Sequence, residues 1–225
     1  MELNADFSQR VVVHAPQLAW QASPMLGVDR RMLDRIGDEV ARATSIVRYA
    51  PLSHFSAHTH TGGEEFIVLD GVFQDEHGDF PVGSYVRNPP TSSHTPGSKP
   101  GCTIFVKLWQ FDSDDRHQMV VDMNTGDFSA SLDRPGVAIL PLFADARENV
   151  RCELWEPGTD VVLDLPAGGE FLVLEGSFSE GPDELNAQSW LRLPSGGRLQ
   201  AKAGGRGARI WVKTGHLPYA QAPTV

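Results

Sequence analysis

The chain has 225 residues, of which 40% are hydrophobic and 21% charged, so a globular protein with one large core or two modest cores is expected. Its 19 basic and 29 acidic residues give a net charge of −10, which disfavours binding to nucleic-acid phosphates. No apolar run approaches the roughly 18 residues of a membrane helix, and the two cysteines form no CxxC pair. The first residues are neither basic nor apolar, so we expect no secretory signal. We therefore expect a cytoplasmic protein without nucleic-acid or membrane partners.

Many short strands are predicted along the chain, because 22 glycines and 16 prolines punctuate segments rich in β-branched and aromatic residues. In chain order these segments are 10–14, 45–49, 65–69, 103–111, 161–165, 171–174 and 208–213. Residues 29–43 are ambiguous, because their apolar spacing suits a helix whereas Gly37-Asp38-Glu39 suits the turn of a hairpin. The corresponding stretch of the second half is polar and turn-like around 145–149, which favours the hairpin.

The sequence repeats itself at an offset of 105 to 106 positions. Three blocks recur in the same order, namely 65–73 at 170–178, 84–89 at 189–194 and 104–107 at 210–213. The polar run from 113 to 127 lies between the two copies. We therefore predict an all-β protein with two domains, at residues 1–115 and 116–225.

Four side chains of the first copy form a candidate metal site. His58 and His60 alternate along a predicted strand and so project to the same side, and Gly62-Gly63 allows the backbone to return Glu64 toward them. His94 lies 36 residues beyond His58 and could close the site from another strand. Three imidazoles and one carboxylate suit one divalent ion, zinc first, with iron, manganese, nickel or cobalt as alternatives.

These residues resemble the two sequence motifs of the cupins. The first motif is HxH, three or four residues, Glu, six residues, Gly, and it is matched from His58 to Gly71. The second is Gly, five residues, Pro-x-Gly, two residues, His, three residues, Asn; here it runs from Gly83, with Thr91 and Ser98 replacing its later Gly and its Asn. The longer phrases 63–66, 78–90 and 101–107 look like the zinc-binding cupin domain of the anti-sigma factor ChrR. The resemblance implies two tandem cupin barrels (double-stranded β-helix, jelly-roll), the second degenerate, and allows a homodimer.

The second copy serves as an internal control for the ligand assignment. Aligning Pro51 with Pro157 puts Asp164 opposite His58 and Pro166 opposite His60, and the later blocks put Leu199 opposite His94. One residue is then missing where Glu64 would be, so all four ligands are absent together. Glu65, in contrast, is matched by Glu170, which indicates a structural or supporting role for Glu65.

Several chemically active side chains lie outside the motifs. We read His54 and His77 as surface or pocket-rim groups and Cys102 as a core residue. Arg48, Tyr85 and Lys107 alternate within predicted strands, and each could face either the barrel interior or solvent.

Three functions are compatible with such a site. A closed zinc site would serve as a structural staple or as a sensor of reactive species, and resemblance to ChrR favours a regulatory role in oxidative stress or transcription. A sigma-factor partner is not expected, because the zinc anti-sigma domain of ChrR has no counterpart in these residues. Open metal positions would instead admit a small-molecule ligand and allow a dioxygenase to cleave a small ketone or diketone. Whether the protein is an enzyme, and which residues would then be catalytic, is left open by the sequence.

Overall fold

A computed structural model describes residues 1–38 and 40–223 and is built almost entirely of β-strands. Up to residue 122 the strands are β1 (Glu2–Leu3), β2 (Val11–His14), β3 (Gln21–Ala22), β4 (Val28–Gly37), β5 (Ala41–Tyr49), β6 (Ser53–His54), β7 (His58–Thr59), β8 (Glu64–Asp75), β9 (Gly78–Pro81), β10 (Ser84–Asn88), β11 (Ser93–His94), β12 (Gly97–Ser98), β13 (Cys102–Leu108) and β14 (Met119–Asp122). They are followed by β15 (Ser129–Ala130), β16 (Val137–Ala144), β17 (Asn149–Trp155), β18 (Asp160–Leu165), β19 (Gly169–Glu180), β20 (Asp183–Asn186), β21 (Ser189–Leu193) and β22 (Gly197–Thr214). Short 3-10 helices span Ala15–Gln17 and Leu217–Tyr219, and no helix among these residues could cross a membrane.

The predicted all-β fold and the hairpin reading of residues 29–43 are both confirmed. Strands β4 and β5 pair antiparallel up to Gly37 opposite Ala41, so the chain reverses between these two residues. Glu39, which belongs to the predicted turn, lies outside the described residues.

The chain divides into two compact units of the same strand order. The first comprises mainly Leu18–Thr125, with a main sheet ordered β1-β4-β5-β13-β8-β10-β14. The second comprises Asp6–Gln17 and Gly126–Ala220, with a main sheet ordered β15-β16-β17-β22-β19-β21-β2. Each unit is a jelly-roll barrel, which confirms the two tandem barrels expected from the sequence.

The compact units differ from the continuous segments 1–115 and 116–225 that the sequence suggested. Strand β2 pairs with β21 of the second barrel, and β14 pairs with β10 of the first. The outermost strand of the second barrel, β2, therefore lies before the first copy in the sequence. The outermost strand of the first barrel, β14, lies just before the second copy. A break in composition such as the polar run at 113–127 cannot reveal such an exchange, because strand pairing is a long-range property.

Each barrel encloses its own apolar core. Phe66, Val68, Val86, Ile104 and Val106 belong to the core of the first barrel, and their alternation along β8, β10 and β13 defines the inward face of the sheet. The core of the second barrel contains, at the equivalent positions, Phe171, Val173, Leu191, Ile210 and Val212.

Gly71 and Gly176 occupy the same position in the two barrels and explain the glycine that ends the first cupin motif. Their φ angles are +70° and +71°, and a Cβ atom at either residue would collide with the carbonyl oxygen of Gly101 or Gly207. Only glycine fits this close approach of two strands.

Candidate metal centre

Two short strands bring the three motif histidines together. In the pair β7–β11, His58 lies directly opposite His94. His60 follows β7, where its backbone N–H donates to the Ser92 carbonyl and its own carbonyl accepts from the N–H of Thr91. The ring centroids are 4.6 to 5.0 Å apart, and one nitrogen of each imidazole lies within 4.8 Å of the others. Such a cluster can hold a metal ion.

Glu64 begins β8 and joins the histidine cluster. Its Oε2 atom lies 3.4 Å from Nε2 of His60 and 3.7 Å from Nε2 of His94. The preceding Gly63 has a φ of +76°, and a Cβ atom there would collide with the ring of Phe111, so a glycine is required to direct Glu64 inward. The structure thus brings all four predicted ligands to one place.

The protonation states of these side chains favour metal binding. Burial, together with the nearby His58, lowers the pKa of His60 to about 4, and burial likewise lowers the pKa of His94 despite the opposing effect of Glu64. Both imidazoles are therefore neutral near pH 7, which is the form that coordinates a metal. Burial raises the pKa of Glu64, because only the amide of Asn88 and the neighbouring histidines offset its loss of hydration.

A missing hydrogen bond shows that these residues fit a metal ion. The Nε2 atom of His60 is buried and has no hydrogen-bond partner among residues 1–38 and 40–223. A buried polar atom without a partner is costly. A cation placed between this nitrogen and the Glu64 carboxylate would satisfy both groups.

Three further groups orient the ligands, and sequence reasoning missed them. Asp75 Oδ2 lies 3.2 Å from Nδ1 of His94, the Ser56 carbonyl lies 3.3 Å from Nδ1 of His58, and Asn88 donates to Glu64 Oε2 at 3.3 Å. Because both histidine contacts are made by Nδ1, the Nε2 atoms of His58 and His94 remain available to coordinate a metal ion, as is common for metal-binding histidines. The only sequence signal for Asp75 is a carboxylate at the end of a long strand, which is too common to be diagnostic.

Thr91 departs from the second cupin motif and has an unusual conformation. Its φ angle is +75°, in the left-handed region that glycine adopts readily and a β-branched residue rarely does. The motif glycine is thus explained by backbone geometry, and the threonine retains that geometry three residues before His94. Ser98, which replaces the motif asparagine, is buried and donates to the Val72 carbonyl at 2.6 Å.

The strand register of the second barrel corrects the alignment with the first. Leu163 lies opposite Leu199, as His58 lies opposite His94. Gly169 pairs with Leu193 and Thr214, as Glu64 pairs with Asn88 and Leu108. The equivalents of His58, His60, Glu64 and His94 are therefore Leu163, Leu165, Gly169 and Leu199.

The assignment of Asp164 and Pro166 to the positions of His58 and His60 was therefore wrong by one residue, and Leu199 was placed correctly. The offset between the two copies is 106 residues at Pro51 and Pro157, because the backbone nitrogen of each proline lies beside an equivalent glycine, Gly101 or Gly207. At His58, whose equivalent is Leu163, the offset is 105. The missing residue lies between Pro51 and His58 and not at Glu64. The second barrel therefore has leucines where the first has imidazoles.

Glu65 faces away from the metal site, in agreement with its predicted structural role. Its partners across the sheet are Arg87 and Lys107, and it accepts a hydrogen bond from the hydroxyl of Tyr85 at 2.8 Å. In the second barrel Glu170 accepts from Trp190 Nε1 at 3.2 Å. The same buried carboxylate contact thus occurs in both copies.

The remaining candidates divide between surface and core. Tyr85 and Lys107 are fully buried, but on the face opposite Glu64, so neither lies beside the histidine cluster. Arg48 pairs with Asp29 at 2.7 Å, and His54 and His77 are exposed, as expected. Cys102 is buried in the core, and burial raises the pKa of its thiol to about 11.

Two jelly-roll barrels, the first carrying a cluster of three histidines, define a cupin-fold protein with a candidate metal centre. Residues 8–112 match the family described as the ChrR Cupin-like domain, so this part of the chain is similar to the ChrR-like cupins. No curated protein matches the chain significantly.

Solved structures of similar fold include three proteins of low sequence identity. A protein of Nostoc punctiforme described as a "putative dioxygenase" has a TM-score of 0.75 and 15% identity, over 97% of this chain and 87% of its own. A bacterial pirin of Escherichia coli in complex with nickel(II) has a TM-score of 0.64 and 11% identity, over 92% and 98%. The oxalate decarboxylase of Lactobacillus farciminis has a TM-score of 0.65 and 9% identity, over 91% and 86%. At these identities the likeness extends to the fold alone.

Proposed function

We propose that the first barrel binds one divalent metal ion, zinc in the first place, through His58, His60, Glu64 and His94. The observation that carries this proposal is the buried Nε2 atom of His60, which has no hydrogen-bond partner among the described residues and lies 3.4 Å from the Glu64 carboxylate. Nitrogen ligands with one carboxylate suit zinc, and the same set accepts iron, manganese, cobalt or nickel.

We further propose that this site has a regulatory role, in which a reactive small molecule changes the metal occupancy. The match to the ChrR cupin-like domain supports a sensory function. The imidazole of His58 is exposed, whereas those of His60 and His94 are buried, so a small oxidant can approach the ligands from the His58 side. A bound metal would supply Lewis acidity there, and the protein residues determine its accessibility.

Metal analysis before and after oxidation tests this proposal. Purified protein should contain close to one zinc per chain and should release it on exposure to peroxide or singlet oxygen, as measured with a chromophoric chelator. The double variant Cys102→Ser and Cys152→Ser is the control, because both thiols are buried and burial raises the pKa of each to about 11. Zinc that is retained under oxidation, or released only when these cysteines are present, contradicts the proposal.

A metal-dependent dioxygenase that cleaves a small ketone or diketone is the second candidate. It is supported by the exposure of His58 and by the similar fold of the Nostoc protein. Four protein ligands leave one or two positions free on a five- or six-coordinate ion. After anaerobic loading with iron(II), oxygen uptake is measured with β-diketones and hydroxyacetophenones, with His60→Ala as the inactive control. Absence of uptake with every substrate argues against this candidate.

A further inference from the structure

The second barrel contains a cavity of about 490 Å³ that the metal hypothesis does not use. It lies where Leu163 and Leu165 replace the histidines of the first barrel, and it is lined on the apolar side by these leucines and Ile139. Arg134 and Arg151 line it as well. A volume between about 300 and 1,000 Å³ is typical of small-molecule sites.

The two arginines of this cavity share one carboxylate. Arg134 donates through Nη1 and Nη2 to both oxygens of Glu153, at 2.8 and 2.9 Å, and Arg151 donates through Nε to Glu153 at 2.6 Å. Trp155 Nε1 also donates to Glu153, at 2.7 Å. The side chain of Glu153 is 1% exposed and each arginine side chain 11%. Two guanidinium groups against one carboxylate leave one positive charge uncompensated within this buried group.

The other contacts of Arg151 do not supply the missing negative charge. Its Nη1 atom donates to the neutral side chains of Asn149 and Thr214, at 2.9 and 3.3 Å. Its Nη2 atom donates to no residue in the described part of the chain, so its two N–H groups remain available. A buried charge without a partner is costly, whereas a bound anion would stabilise it.

The acidic side chains at the rim of the cavity are poor substitutes for such an anion. Asp133 and Asp164 line the cavity but are exposed, and Asp164 lies 3.3 Å from Nε of Arg198. Solvent and salt screen exposed charges far more strongly than buried ones. The guanidinium groups of Arg134 and Arg151, whose side chains are each 11% exposed, are therefore the least screened charges in the lining that the Glu153 carboxylate does not fully balance.

The charged group belongs to the second barrel alone. Arg151 pairs with Val212 as Ser45 pairs with Val106, so the first barrel has Ser45 and Val47 where the second has Arg151 and Glu153. The cupin fold thus forms without these charges. Their presence beside a cavity is better explained by a ligand than by a requirement of folding.

We propose that the second barrel binds a small organic carboxylate. Its carboxylate would accept hydrogen bonds from Arg134 and Arg151, and its apolar body would pack against Ile139, Leu163 and Leu165. This site is independent of the metal centre in the first barrel.

Calorimetric titration of the full chain with sodium hexanoate and with hexanamide, its neutral isostere, tests the proposal. Hexanoate should bind at least about ten-fold more tightly than hexanamide, because hydrogen bonds between charged partners are stronger. The titration is repeated after removal of metal with a chelator, and the affinity should not change, which distinguishes this site from a carboxylate bound to the metal. Failure of hexanoate to bind, equal affinity for the amide, or loss of binding in the metal-free protein overturns the proposal.

Matched variants locate the site. Arg151→Gln should weaken hexanoate binding by about ten-fold or more. Lys202→Gln removes the same charge from an exposed position paired with Asp160 and should change the affinity by less than about two-fold. Leu163→Trp should block the cavity without changing the charge, and its fold is checked by near-ultraviolet circular dichroism. Equal losses in Arg151→Gln and Lys202→Gln, or full binding by a folded Leu163→Trp, contradict the assignment.

Discussion

The Nδ1 atom of His94 lies 3.2 Å from Oδ2 of Asp75, on the side of the ring away from Glu64. Because this contact fixes the orientation of the ring, Asp75→Asn should weaken metal binding by about 10- to 100-fold while leaving the fold intact. Competition with a chromophoric chelator measures the affinity. Asp79→Asn, at an exposed position on β9, is the control and should bind metal like the wild type. Equal affinities of the two variants would exclude a role for Asp75.

His60→Ala should remove most of the metal affinity and lower the thermal unfolding temperature of metal-loaded protein, because a bound ion stabilises the folded state by mass action. His77→Ala removes an exposed histidine of the same barrel, and Asp164→Ala an exposed residue of the second barrel. Both should retain the metal content of the wild type, measured by elemental analysis. Full metal content in His60→Ala would refute the ligand assignment.

Leu199→Ala should destabilise the protein by about 2–5 kcal/mol, because it leaves a cavity in the core of the second barrel, where Leu199 is fully buried. Leu132→Ala makes the same chemical change at a fully exposed position and should alter stability by no more than about 0.5 kcal/mol. Urea denaturation compares the two. A small effect of Leu199→Ala would show that the leucines do not stabilise the barrel in place of a metal.

Thr91→Gly should stabilise the protein by about 0.5–1 kcal/mol. Relief of the left-handed conformation gains about 1–2 kcal/mol, and the greater flexibility of unfolded glycine offsets about half of it. Thermal unfolding of chelator-treated protein measures the change without a contribution from metal. A destabilised variant would mean that contacts of the threonine side chain outweigh its backbone strain.

Glu153 makes the stability of the second barrel sensitive to acid. Burial alone would raise the pKa of Glu153, but hydrogen bonds from Arg134 and the charges of both arginines outweigh it and hold that pKa below its ordinary value. The stabilisation is therefore present above the unfolded-state pKa of about 4.3 and is lost as the pH falls through the lower folded-state pKa.

Glu153→Gln should accordingly cost about 3–5 kcal/mol at pH 7, because it leaves two buried guanidinium groups without their carboxylate. The difference from wild type should shrink below about pH 4. Urea denaturation between pH 3 and pH 7 measures it. A difference that stays constant over this range would contradict the linkage.

Sequence reasoning located the candidate ligands because their chemistry and spacing are local. His58 and His60 alternate on one strand, Glu64 follows a glycine turn, and the motif spacing adds His94. The repeated blocks also identified two copies of one barrel.

What sequence reasoning could not supply was the pairing between distant strands. Asp164 was aligned with His58 because the loop before this position is one residue shorter in the second copy, and composition does not show where that residue is missing. The pairing of Leu163 with Leu199 shows that Leu163 is the true equivalent of His58. Asp75 was missed because its role depends on where a neighbouring strand carries His94. The ion group around Glu153 was missed as well. Arg151 lies two residues before Glu153 on β17, but Arg134 reaches the carboxylate from the loop between β15 and β16, which no local pattern indicates.

Because edge strands are exchanged, neither continuous half of the chain contains every strand of one barrel. Proteolysis or truncation near residue 115 would separate β2 from its hydrogen bonds to β21 and β14 from those to β10, exposing two open sheet edges at once.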